Sequence, residues 1–559
     1  MFLPGITFAA ARSVETGLTS RADVAMFVGC VARRDGAVPA ELAAELVQAG
    51  WSEQGVFKVT AERLEALLDI PVPVESWSEF DSLYAWERRP ASPGSGDMVP
   101  TALGLAVKAF FEEGGAKAYI VRTDDPVPLA DPADPDGLAA LKLKRLSDVA
   151  PPPPEDGDPS PASERRAFIL PGFRGLGSPT DPADPKTWSG AAMVYAVDDA
   201  AMLLFPDLID LCAGSPRAVP PLPEPPGPPE LFKPCAPTAP GLEPEPRVAR
   251  PEYRAPRLDR AGYAMWANAL RNALDLLGRP RGPAHRRDVM LLSSLPLPLV
   301  QSDLETGFAG DEENWPLALL ELPGIPRDGQ CLLDESAIGC ARLQLAYPWV
   351  ETTASASLPE GLQSGEGQLA GLIARTSLAD GAYRSAAGRD CRTVRRLHPD
   401  IATSDLARGL PGRRADWLGA RLSMLGMKRG QFELISDSTM SDDPAWRAGG
   451  VSRVMAIILR AARQFGDDLV FEPSGPGLWA RIRGVFEGFL EELWLDGALD
   501  GATAEKAFEV RCDESSMTQS DIDAGRVICR IGFTAAHPIE RITVSLLLIE
   551  AAAEMREAA

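Results

Sequence analysis

Histidine and cysteine are the side chains from which a nucleophile, a general base or a metal site would most readily be built. This 559-residue sequence holds three of the first and eight of the second. His285, His398 and His537 stand far from one another and from any cysteine cluster along the chain. A Cys–His nucleophile pair would have to be assembled by the fold, with Cys391 or Cys512 as the thiol. Isolated loop histidines are the plainer expectation, and His537 directly precedes Pro538. The cysteines (Cys30, Cys212, Cys235, Cys331, Cys340, Cys391, Cys512 and Cys529) form no C-x-x-C pair, the pattern of mostly reduced, structural thiols. Cys512 and Cys529 fall in adjacent predicted strands, which permits a bridge, yet free thiols are the expectation.

Other signatures fail on spacing. The segment SGEGQLAG (364–371) has no lysine to meet phosphates, and GFRGLGSP (172–179) does not fit a dinucleotide loop. There is no G-x-S-x-G elbow and no H-E-x-x-H helix. DPADPDG (131–137) fails as a calcium loop, because the first and twelfth positions would be Pro132 and Leu143. No cofactor and no metal is implied, and an enzyme is not the expectation. A formal charge of -23 with a pI near 4.7 works against nucleic acid and anionic membrane partners, leaving other proteins as the expected ones. The start MFLPGITFAAARSVE lacks a basic region and has Pro4 in its short apolar stretch, so it does not read as a signal peptide; no run approaches a transmembrane span. Cytoplasmic synthesis and folding are expected.

The elements that would position any site are readable in outline. A chain of this length should form two to four domains. In PTALGLAVKAFFEEGGAKAYIVR (100–122), Leu103, Val107, Phe110 and Phe111 share a helical face, Gly114-Gly115 stops the helix, and a strand follows over 118–122. A buried strand ending at Pro206, a helix over 263–278 and a strand within 288–298 continue an α/β alternation. The C-terminal third predicts helices over 451–465 and 477–497, the second with a stripe of Trp479, Ile482, Val485, Phe486, Phe489, Leu490 and Leu493. Strands are predicted over 507–512, 526–533 and 541–549. The fold class is therefore mixed α/β and α+β, multi-domain, with C-terminal helices followed by an antiparallel sheet.

Fifty-two prolines are nearly twice the usual share, and they crowd into 150–161 and 219–251. Those tracts favour extended conformations, so linkers or surface loops are expected at 125–165 and 213–257. The two ends pose a different question. Ile542, Val544, Leu546 and Leu548 alternate with polar neighbours at first, as on a strand buried on one face, and Phe2, Ile6 and Phe8 are similarly spaced with Pro4 tolerable at an edge.

Seven phrases stand in order along the chain: VPVESWSEFDSLYAW (72–86), ALGLAVKAFFEEGGAKAYIVR (102–122), LAYPWVET (345–352), GEGQLAGLIARTSLADGAYRSAAG (365–388), FEPSGPGLWARIRGVFEGFLEELWLDGALDGAT (471–503), AFEVRCDESSMTQSDIDAGRVICRIGF (507–533) and HPIERITVSLLLIE (537–550). Together they resemble the contractile tail sheath family of phages, pyocin-like particles and related injection systems. The chain departs from the family at ISDSTMSDD (435–443), where RT is common, and in its proline tracts, where others have surface domains.

The resemblance implies an N-terminal arm (1–20), an α/β sheath domain (21–350), a C-terminal sheath domain (351–535) and a C-terminal arm strand (536–559). It implies that Phe2, Ile6 and Phe8, with Ile542, Val544, Leu546 and Leu548, mediate strand exchange between subunits. Alone, the last strand would not recover its backbone entropy from apolar burial; pairing onto another sheet adds the missing hydrogen bonds. The implied partners are other copies of the chain, an inner tube protein, and baseplate and tail-terminator or cap proteins, assembled in the cytoplasm into a phage tail-like particle. The competing expectations are a non-contractile strand-exchanging scaffold and a Cys–His hydrolase.

Overall fold

The computed structural model describes residues 21–146, 184–214, 253–278, 286–299, 341–400, 421–441, 443–469, 475–523 and 526–536. Both terminal arms and the tracts 150–161 and 219–251 lie outside these residues.

The described strands are β1 (Ala25–Cys30), β2 (Val72–Val74), β3 (Ala118–Asp124), β4 (Met202–Leu204), β5 (Met290–Ser294), β6 (Leu343–Tyr347), β7 (Trp349–Thr352), β8 (Leu362–Gln363), β9 (Val394–His398), β10 (Ser423–Lys428), β11 (Gln431–Leu434), β12 (Phe508–Arg511) and β13 (Arg530–Phe533), beside shorter pairings. Eight of them make one sheet in the order β11-β10-β6-β5-β4-β1-β3-β2. The inner six run parallel, and β2 and β11 close the edges antiparallel. Every residue of β1, β4, β5 and β6 is buried, as strands covered on both faces require.

The main helices are α1 (Ala102–Glu113), α2 (Pro135–Leu146), α3 (Leu208–Cys212), α4 (Arg260–Gly278), α5 (Glu366–Asp380), α6 (Gly449–Asp468) and α7 (Pro476–Leu495). Helix α1 begins where Thr101 Oγ1 accepts the Gly104 N–H and ends at Gly114, whose φ of 111° suits only a residue without Cβ. The expected helix, turn and strand are all present. Leu103, Val107 and Phe110 are buried and Phe111 is half-buried. The predicted strands near 206 and in 288–298, and the helices over 263–278, 451–465 and 477–497, also match, with bounds moved by a few residues.

Two expectations are corrected. The linker expected from residue 125 is ordered through Leu146. Asp131 accepts the Ala133 and Asp134 N–H groups, Asp134 caps α2 by accepting from Gly137, and Leu138 and Leu146 are buried. The aspartates that imitate a calcium loop are a turn and a helix cap. The boundary at 350/351 falls inside one layer, because β10 and β11 extend the sheet that β1 begins and α5 packs on α1.

That helix pair explains the glycines of GEGQLAG. A Cβ on Gly367 would stand 2.5 Å from the Ala106 carbonyl oxygen, and one on Gly371 would stand 2.6 Å from that of Phe110. The helices touch backbone to backbone, which no larger residue allows. Gly367→Val is expected to cost about 3 kcal/mol through overpacking, read as a fall in the thermal unfolding midpoint. An unchanged midpoint would show that the two helices can part without loss.

Candidate functional site

Helix α6 carries Arg453, Arg460 and Arg463. The first two are seven residues apart, so they share a helical face with Ile457 and point into the protein, 2% and 1% exposed. Arg453 forks onto Asp437, with Nη2 to Oδ2 at 2.7 Å and Nη1 to Oδ1 at 3.2 Å. Its remaining donors reach the carbonyls of Ala382 and Arg384. Asp437 also accepts from Gln344 of β6 at 2.8 Å and from the Ala386 N–H at 2.9 Å.

Two turns further on, α6 meets Asp288, which precedes β5. Arg463 Nη1 lies 2.8 Å from Oδ1, Arg460 Nε 3.3 Å from Oδ2, and Arg286 Nε 3.2 Å from Oδ1. Three guanidiniums thus surround one carboxylate. Carbonyl oxygens take up the other donors: Arg286 reaches Val194, Val197 and Ala200, Arg460 reaches Arg21, Ala200 and Asp288, and Arg463 reaches Asp198. Burial pushes the carboxyls of Asp288 and Asp437 upward, but the arginines around them more than offset it and hold both below the usual range.

Further buried acids tie the other layers. Glu113, at the end of α1, accepts the backbone N–H of Arg392 and Thr393 at 3.0 and 2.8 Å. Asp210 of α3 binds Arg89 and Lys142, the latter at 3.1 Å. Asp207 accepts the Cys30 N–H at 2.6 Å, joining the ends of β1 and β4. Burial raises its carboxyl to about 7, against the opposing pull of that N–H and Arg89.

Beyond this joint, α7 buries Trp479, Ile482, Phe486, Phe489, Leu490 and Leu493, the predicted stripe except for half-buried Val485. The antiparallel pair β12–β13 follows, mostly exposed or half-buried, with no third ladder strand among the described residues. Strand β13 is shorter than the predicted 526–533, because Ile528 gives its carbonyl to Ser516 Oγ instead of to the ladder.

Burial disfavours the thiolate in both candidate nucleophiles. Cys391 and Cys512 are buried, and burial raises both thiols, the reverse of what a reactive thiolate needs. Among the described residues no group of three or more His, Cys, Asp or Glu could hold a metal ion, and no helix is long and apolar enough to cross a membrane. Phe2, Ile6, Phe8, Ile542, Val544, Leu546 and Leu548 all lie outside the described residues, so the structure brings none of them to a partner.

Residues 441–548 match the phage tail sheath C-terminal domain, an interval that takes in α6, α7, β12 and β13. The chain carries a tail sheath C-terminal domain. Over 99% of its length it aligns with 100% of a chain from the cryo-EM structure of the anti-feeding prophage (AFP) baseplate in contracted state, at a TM-score of 0.54 and 16% identity, which shows a shared fold. It also aligns with the sheath complex of an extracellular contractile injection system, PVC, in contracted state (TM-score 0.49, 14% identity, 98% of each chain). A third alignment is with the AFP helical sheath in contracted state (TM-score 0.48, 17% identity, 98% of this chain and 99% of that one). No curated protein matches the sequence.

The joint that carries this sheath domain missed detection because its charges are distant in sequence. The usable signal was two arginines seven apart inside the apolar arc of one helix. Asp288→Asn leaves three guanidiniums without a counter-charge and should cost about 3–5 kcal/mol, with α6 amides losing hydrogen-exchange protection. Full protection in the variant would contradict the clamp.

The acids also set opposing pH dependences. Asp288 and Asp437 contribute stability that is complete above the unfolded value near 4 and is lost as pH falls through their lower native values. Asp207 acts in the other direction: its contribution is present below about 4 and is lost as pH climbs to about 7. Asp207→Asn should therefore raise the thermal midpoint relative to the parent at pH 8 more than at pH 4. An equal change at both would refute this.

Proposed function

We propose that the chain is the structural subunit of a contractile tail sheath, polymerising around an inner tube and contracting by rigid-body rearrangement to drive that tube into a target membrane. The observation that carries this reading is the sheath-type domain at 441–548, clamped by α6 onto a large parallel sheet. The clamp makes the subunit a body that can rotate without deforming. The stroke draws on the difference in contact energy between an extended and a shorter, wider lattice, summed over many copies.

The joints between copies are the terminal arms. A two-stranded sheet is marginal by itself, and β12–β13 offers an edge for strand addition. Ile542, Val544, Leu546 and Leu548, with Phe2, Ile6 and Phe8, supply the strands in this proposal. Inner tube, baseplate and cap proteins complete the partner set. Assembly takes place in the cytoplasm and yields a phage tail-like particle.

Expressed with its tube partner, the full chain should give striated hollow tubes of two lengths in electron micrographs. Deleting residues 541–559 should leave the globular body as a monomer and abolish the tubes. Filaments of one fixed length would indicate a static scaffold instead. Contractile cylinders built by the deleted chain would overturn the role of the C-terminal arm.

A further inference from the structure

Strands β12 and β13 pair antiparallel, Phe508 opposite Phe533 and Arg511 opposite Arg530. One step further along the same register, Cys512 stands opposite Cys529. Thr534 N–H donates to the Ala507 carbonyl at 2.9 Å, so 507 and 534 are a hydrogen-bonded pair. Alternation along the ladder then makes 509/532 and 511/530 hydrogen-bonded and puts 512/529 at a non-hydrogen-bonded position. At such positions opposed Cα atoms approach to about 4.5 Å, inside the range a disulfide spans. Both cysteines are free thiols.

We propose that Cys512 and Cys529 are a redox-sensitive dithiol that closes to a cross-strand disulfide when the protein meets a small-molecule disulfide oxidant, locking the sheet of the C-terminal domain. Cys529 is half-buried and Cys512 buried, which sets the order of events. Cys529 releases its proton to solvent, and its thiolate attacks one sulfur of the oxidant; the first small thiol leaves with a proton. Cys512 then loses its proton and attacks the Cys529 sulfur, forming the protein disulfide and expelling the second small thiol. Two protein thiols give up two electrons and two protons, and one disulfide is reduced to two thiols. The bond closes the loop 513–528, already pinned by Ser516 Oγ on the Ile528 carbonyl.

Burial, reinforced by Cys512, pushes the Cys529 thiol up to about 12. Closure is therefore slow at neutral pH and quickens as pH rises. The proposal rests on strand register and on two free thiols, so it stands or falls separately from the sheath reading.

The test treats the folded full-length chain with oxidised glutathione, blocks remaining thiols and maps tryptic peptides by mass spectrometry. Cleavage after Arg511, Arg526 and Arg530 leaves the two cysteines on separate peptides, so a bridge appears as a joined pair, about 2 Da lighter than the sum of its reduced parts. The joined pair should form faster at pH 9 than at pH 7, vanish on reduction and slow protease cleavage within 513–528. Cys512→Ser should leave Cys529 capped by glutathione. If the parent chain instead retains that cap on Cys529, or if both thiols stay free to the blocking reagent, the proposal is wrong.

Discussion

A single carboxylate, that of Asp288, is shared by three guanidiniums from two parts of the chain, and the placement of the C-terminal domain depends on it. Arg286 belongs to the approach to β5, while Arg460 and Arg463 belong to α6. The cluster carries more positive than negative charge in a buried place. Carbonyl oxygens from 21, 194, 197, 198, 200 and 288 make up the difference as hydrogen-bond acceptors. Arginine suits this work: its guanidinium is planar, weakly hydrated and rich in donors, so it can satisfy an acid and several carbonyls at once. A buried ion pair adds little net stability over an apolar contact, but an unpaired one is costly, so such a cluster penalises every other docking of α6.

With α6 fixed, rigidity spreads in both directions. Asp437 links it to β6 through Gln344, and the close approach of α5 to α1 fastens the layer over the sheet. Glu113 at the end of α1 then holds the segment before β9. The N-terminal sheet and the C-terminal helices are thus joined at several buried points, an arrangement that suits the rigid-body stroke of the proposed function.

The elements with regular apolar spacing were legible in the sequence. The α1–β3 unit, α4, α6 and α7 follow from side-chain periodicity and glycine stops, and the short antiparallel sheet after α7 was expected from the strands predicted over 507–512 and 526–533. The joint was not legible. Asp288 and Arg460 are separated by 172 positions, and no local pattern joins them before the fold does. Gly367 and Gly371 were read against a phosphate-loop template because glycine permits both a tight loop and a close helix contact; the missing lysine rejected the first without suggesting the second. Proline misled in 125–146, where Pro135 opens α2 and leaves the helix intact, as a first-turn proline does.

The charge balance bears on how copies could hold together. At -23 per chain, copies repel at long range, although salt screens this beyond about 8–10 Å. Attraction must then come from short-range contacts. The large exposed apolar residues among those described, Val47, Val56, Met98, Leu143, Leu378, Met427 and Leu495, fall on different segments of the chain. Backbone pairing meets the requirement better: a strand added to an open edge gains hydrogen bonds only at contact, in one register, and leaves the charged surfaces facing solvent. The same pairing is directional but hinged, so two subunits can stay connected while the angle between them changes. An acidic, internally clamped body whose β12–β13 sheet has two strands among the described residues is thus suited to being linked by strands.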